Sequence, residues 1–145
     1  MHPAIGERTV QANGLRFRVL EAGTGDRLAL CLHGFPELGF SWRHQLPLLA
    51  QLGYRAWAPD LRGYGDSSQP AGEADHANYS KRAMARDLAL VMEDLGHARY
   101  FVAGHDRGGR VAHRLALDHP QAVQKLAVID IVPTLDMYES TDMRF

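Results

Sequence analysis

YFVAGHDRGGR, Tyr100–Arg110, runs from an unbroken apolar segment through Gly104-His105-Asp106-Arg107-Gly108 into a stretch of helical character. A strand that turns sharply into a helix, with a glycine two residues to either side of a reactive side chain, can lift a nucleophile above the edge of a sheet. The central residue here is an aspartate, and two readings are open: Asp106 is the nucleophile, or it caps the following helix, a place where carboxylates are favoured.

The segments around this turn set its context. LALCL (Leu28–Leu32), YRAWAP (Tyr54–Pro59) and KLAVIDIV (Lys125–Val132) are, like YFVAG, apolar without clean alternation, the pattern of parallel strands buried on both faces. Helical periodicity lies between them. Ser41–Gln51 carries Trp42, Leu46 and Leu49; Ser80–Leu95 opens on a capping serine and carries Met84, Leu88, Val91 and Met92 before Gly96; Arg107–Asp118 holds Val111, Leu115 and Leu117 before His119-Pro120. RTVQA (Arg8–Ala12) and LRFRVLEA (Leu15–Ala22) flank Asn13-Gly14, a hairpin turn signal. The alternation of strand and helix predicts an α/β fold, a mostly parallel sheet with flanking helices joined by right-handed crossovers.

Open parallel sheets carry their chemistry in the loops after the strands, at the carboxyl edge. Four such loops are predicted to share that edge: HGFPE (His33–Glu37), DLRGYGDSS (Asp60–Ser68), HDRGG (His105–Gly109) and DIVPT (Asp130–Thr134). A glycine-containing loop such as HGFPE, placed after an earlier strand, is where a first oxyanion-hole donor originates. Phe35 N–H and Arg107 N–H are therefore the candidate donors. Asp60, Arg62, Gly63 and Gly65 read as a shaped turn with internal polar contacts, Glu37 as a residue ordering its own loop, and Trp42 as core.

Composition limits the function classes. The 145 residues are 46% hydrophobic and 23% charged, with a formal net charge of −1 at pH 7, which gives no long-range attraction to nucleic acid or to an anionic membrane. The only cysteine, Cys31, lies inside LALCL and predicts an inert core thiol in a cytoplasmic protein. MHPAIGERTV is no secretory leader, and no apolar run is long enough to span a bilayer. No Cys/His cluster has metal-ligand spacing and no glycine-rich phosphate loop is present, so neither metal nor cofactor is expected. A small-molecule partner is.

GHDRGGR, HGFPE, DLRGYGDSS and VIDIVPT, in the order in which they occur, resemble the α/β-hydrolase superfamily, and within it the haloacetate (fluoroacetate) dehalogenases, with epoxide hydrolases as close relatives. The resemblance covers essentially the whole chain. It implies that Asp106 displaces halide from a haloacetate to give an ester, that a histidine-activated water hydrolyses this ester, and that Arg107 and Arg110 clamp the substrate carboxylate. It also implies that Asp130 is the acid that orients the histidine; by position alone, Asp130 reads better as a capping or turn residue before Pro133. The epoxide hydrolases usually carry Trp where Arg107 stands, which favours an acid substrate here.

Elementary chemistry agrees with this division of roles. A carboxylate with an ordinary pKa of ~3.9 is ionised at pH 7 and needs no base before it attacks. Attack by an anion on an anion requires fixed positive charge. Arg107 and Arg110, three residues apart on a helix, share a face, and guanidinium forks match carboxylates. A salt bridge to a neighbouring acid is the alternative for Arg110, and Arg114 reads as structural.

The histidine that the resemblance implies is not found. His2, His33, His44, His76, His97, His105, His113 and His119 all precede Asp130. His33 reads as a structural residue of the oxyanion loop, and His105 as support for the turn. The chain therefore corresponds to about the first six strands of the fold: residues 1–133 as the N-terminal part of the hydrolase core and residues 134–145 as the start of a cap, with histidine and halide pocket beyond Phe145. Such a piece is expected to be inactive alone and to associate with itself or with a complementing C-terminal half, because its sheet ends on an apolar strand. The rival of another class is a non-catalytic binding module built on the same fold.

Overall fold

The computed structural model describes residues 4–75 and 77–131. The predicted cap entry, Thr134–Phe145, lies outside these residues, as does His76. Six strands form one sheet: β1 (Gly6–Ala12), β2 (Leu15–Ala22), β3 (Arg27–Leu32), β4 (Tyr54–Pro59), β5 (Tyr100–His105) and β6 (Val123–Ile129). The helices are α1 (Gln45–Gln51), α2 (Lys81–Asp94) and α3 (Arg107–Asp118).

The strand order is β1-β2-β4-β3-β5-β6. Asn13 and Gly14 both adopt positive φ (54° and 72°), closing the β1–β2 hairpin with Ala12 opposite Leu15. That is the two-residue turn whose twist suits paired strands, and only residues tolerant of the left-handed region can occupy it. β2 runs antiparallel to β4, and β3 is parallel to β4 and β5, with Leu30 beside Trp57 and Leu32 beside Gly104. β6 continues the parallel set, with His105 beside Ile129. The carboxyl ends of β3, β4, β5 and β6 thus emerge on one edge; the first three predicted loops follow β3, β4 and β5, and Asp130-Ile131 of the fourth follows β6.

The larger core lies between the sheet and α2/α3, where Leu30, Trp57, Leu88, Met92, Val111 and Leu115 are fully buried. Ser80 Oγ accepts from Ala83 N–H at 3.1 Å and starts α2, as its sequence predicts. A smaller core under α1 gathers Leu20, Cys31, Trp42, Leu46 and Ala58. Burial pushes the Cys31 thiol up to about 12, which makes it unreactive at neutral pH.

Three sequence expectations need correction. Ser41–Gln51 is not one helix but a 3-10 turn (Gly39–Trp42) followed by α1. A continuous helix would set the Pro47 ring against the carbonyl of Arg43, whereas in the first turn of α1 the missing N–H costs nothing. The last strand begins at Val123 and stops at Ile129, because Asp130 turns into positive φ (58°). Leu117, expected in the core face of α3, is 55% exposed.

Among the described residues, the face of the sheet that carries α1 is open over β5 and β6. A groove of about 660 Å³ runs there between Leu48, Leu52, Phe101 and Leu126. Among the described residues β6 pairs only with β5, and its Leu126 and Ile129 are exposed.

Candidate active site

The turn between β5 and α3 places Asp106 at φ 54°, ψ −119°, a conformation that side chains other than glycine's rarely adopt. The surroundings over-determine it. Its N–H donates to Ile129 O at 3.0 Å, and its carbonyl accepts from Gly109 N–H at 2.9 Å. A Cβ on Gly104 would lie 2.3 Å from Gly108 O, and one on Gly108 would lie 2.3 Å from Leu32 O and 2.4 Å from His33 O. Both positions therefore need glycine for the elbow to close against β3.

The same geometry bears on the capping reading of Asp106. The residue stands at the N-cap of α3, yet its side chain makes no capping bond. Its Oδ2 instead accepts Phe35 N–H at 3.0 Å from the loop after β3. This bond, and next the N–H of Arg107, hold the carboxyl below the usual aspartate value, against a small opposing effect of burial. A carboxylate raised over the sheet edge, ionised and held at one oxygen, keeps its other oxygen for chemistry. The two expected oxyanion donors, Phe35 and Arg107, are thus the two backbone N–H groups at this carboxylate.

The Arg107 side chain lies beside the loop after β3. Its Cζ stands 4.9 Å from the centroid of the Phe35 ring, and its Nη1 donates to Tyr64 Oη at 2.7 Å. Arg110, one turn further along α3, is half-buried. Arg114 is paired with Asp118 at 3.0 Å, the structural role its position suggested.

Asp130 follows β6, and its Oδ2 lies 3.2 Å from His105 Nε2. The other ring nitrogen of His105 meets Glu37 Oε1 at 2.9 Å, and that same oxygen accepts Gly34 N–H at 3.1 Å. Glu37 does order the HGFPE loop, but it does so as one end of a bridge across three loops. Donation to two carboxylates, Glu37 foremost, raises the His105 pKa above its ordinary value. Both ring nitrogens of His105 are thus engaged by carboxylates, an arrangement that suits it to holding the turn. Because the folded-state value lies above ~6.5, the bridge contributes its full stabilisation below that pH and loses it as the pH rises through the raised pKa. In an NMR titration His105 should show a midpoint above 6.5 that falls in Glu37→Gln; a midpoint at or below 6.5 would refute the bridge.

His33 is fully buried and has a different role. Its Nε2 accepts Leu61 N–H at 3.0 Å, which leaves the proton on Nδ1 to donate to Gly34 O at 3.0 Å. Burial lowers its pKa, keeping it neutral and fixed in this tautomer. Asp60 holds the next loop, accepting Gly39 N–H at 2.9 Å and Asp66 N–H at 3.2 Å. Gly65 lies so close beneath it that a Cβ would fall 2.3 Å from Asp60 Oδ2. Arg62 makes a buried two-point pair with Asp87 of α2, at 2.9 and 2.7 Å. DLRGYGDSS is the internally bonded turn that its sequence suggested, except that Arg62 reaches out of it to Asp87.

Tyr64, Lys81 and Asp87 were not singled out from sequence. Asp87 left a signal, since it lies on the apolar stripe of Met84, Leu88 and Val91, where a lone acid demands a partner. Tyr64 and Lys81 left none, because only the folded edge brings them to Arg107.

A model of the α/β-hydrolase fold matches residues 30–145. A fluoroacetate dehalogenase from a Burkholderia species is 48% identical over 142 residues, covering 98% of this chain and 46% of the relative. Epoxide hydrolase A of Mycobacterium tuberculosis is 44% identical over 126 residues, covering 86% of this chain and 38% of its own length. Among solved structures, a protein from Nostoc sp PCC 7120 superposes with a TM-score of 0.90 at 49% identity, over 97% of this chain and 47% of that one. A Vigna radiata epoxide hydrolase gives 0.84 at 39% identity, over 90% and 40%. The chain thus spans about half the length, or less, of the relatives it matches. With the elbow at Asp106, the parallel sheet and this match in hand, the chain belongs to the α/β-hydrolase fold family.

Proposed function

We propose that this chain carries the nucleophile half of a hydrolase acting on a halogenated carboxylate of the haloacetate type. The observation that carries this reading is the Asp106 carboxylate, turned from its helix onto Phe35 N–H with Arg107 alongside. Oδ2 is occupied by that bond, so Oδ1 attacks the α-carbon; the new C–O bond forms as the carbon–halogen bond breaks, and the electron pair leaves with halide. Arg107 and Arg110 bind the substrate carboxylate and offset the repulsion between two anions. In the second step, water adds to Asp106 Cγ, Phe35 and Arg107 N–H receive the oxyanion, and the 2-hydroxy acid departs. That step needs a neutral histidine on Asp130. His105 does not suit it, so the base is supplied from outside these 145 residues, which alone form the ester and do not release it.

Arg110→Ala should weaken chloroacetate binding by roughly 10- to 100-fold, the scale of one charged hydrogen-bonding contact, and leave reaction with an epoxide unaffected. The relatives that hydrolyse epoxides make that chemistry the second reading. Reaction with epoxides and unchanged chloroacetate binding in the variant would favour it.

The open apolar face over β5 and β6 supports association with a second copy or a complementing half. Sedimentation velocity should show species larger than the monomer at micromolar concentration; a monomer at every concentration would count against association through this face.

A further inference from the structure

Between the loop after β4 and the start of α2 lies a cavity of about 310 Å³, into which Arg107, Lys81, Tyr64 and Phe35 all project. Arg62 also borders it, but Arg62 is neutralised by Asp87. Lys81 has no carboxylate partner among the described residues, and its nearest charged influences are Arg107 and Arg110. Tyr64 Oη accepts from Arg107 and retains its own proton to donate. The cavity thus joins Arg107 to a further ammonium and a phenol, with the charge of Arg110 acting on that ammonium from the next turn of α3.

A carboxylate offers about four acceptor sites, which two guanidinium forks can fill. Lys81 brings three further donors and a further positive charge beside Arg107, and these need other acceptors. We propose that Lys81 receives a second anionic group of the substrate, so that the site fits short dicarboxylates better than monocarboxylates. This deepens the halocarboxylate reading above and rests on it.

The electrostatics point the same way. Burial, and then the charges of Arg107 and Arg110, hold the Lys81 ammonium below the usual lysine value. An anion seated among the three cations would relieve that repulsion. Without one, the cation cluster is offset by the Asp106 carboxylate beside Arg107.

The test uses the 145-residue chain and unreactive probes. Acetate and succinate are titrated separately at constant ionic strength and followed by amide NMR. Succinate should bind at least ~10-fold more tightly than acetate. Lys81→Met should bring that ratio close to one, and Lys81→Arg should restore most of it. Retention of the ratio in Lys81→Met, or equal binding of the two anions by the unaltered chain, overturns the role of Lys81 and leaves the arginine clamp standing. Binding of neither anion overturns the carboxylate-binding reading, and the role of Lys81 with it.

Discussion

Asp106→Asn should reduce ester formation from chloroacetate by roughly 10⁴-fold or more, the scale on which removal of a nucleophile is felt. The amide keeps the size and shape of the side chain and an oxygen for Phe35 N–H, but carries no charge with which to attack carbon. Folding should change little. Asp106 makes no capping bond, and the bonds that fix its turn are backbone bonds to Ile129 and Gly109, which the substitution retains. Halide release in a single turnover, measured beside a urea titration, separates the two effects. A variant that folds and still releases halide at the original rate would rule Asp106 out as nucleophile.

Asp87→Ala should have the largest effect on stability. It leaves the guanidinium of Arg62 buried without its partner and takes an acceptor from Asn13 Nδ2, which donates to Asp87 Oδ1 at 2.9 Å. Breaking one side of a buried pair costs about 3–5 kcal/mol, a large share of the 5–15 kcal/mol that holds an ordinary domain. With a urea m value near ~2 kcal/mol/M, the midpoint should fall by roughly 1.5–2.5 M. Arg62→Met combined with Asp87→Leu should recover much of the loss, since no uncompensated charge remains. A shift under about 0.5 M for Asp87→Ala would show that water reaches Arg62 and that the pair does not brace the edge.

What could be read from the sequence followed the range of the interactions involved. Asn13-Gly14 determines its hairpin through its own backbone, and Ser80 starts α2 through a bond three residues away; both are local and both are visible in the sequence. The parallel strands were legible from continuous apolar runs. Pro47 split the first helix by a local rule that hydrophobic spacing alone overlooks. Asp106 was ambiguous because capping and nucleophile turns share residue types, and its φ of 54° and its bond to Phe35 are visible only in the folded chain. The Glu37–His105–Asp130 bridge and the approach of Lys81 to Arg107 join residues from separate loops or elements. No short-range pattern encodes them.

The catalytic reading comes down to one covalent bond, at Asp106. The purified chain is incubated with chloroacetate, digested, and mapped by mass spectrometry. One carboxymethyl group per chain, carried as an ester on the peptide containing Asp106 and persisting without turnover, is the expected result. No adduct at Asp106 in the chain alone, together with no halide release after association with a complementing half, would contradict a nucleophilic role and leave a hydrolase fold that only binds.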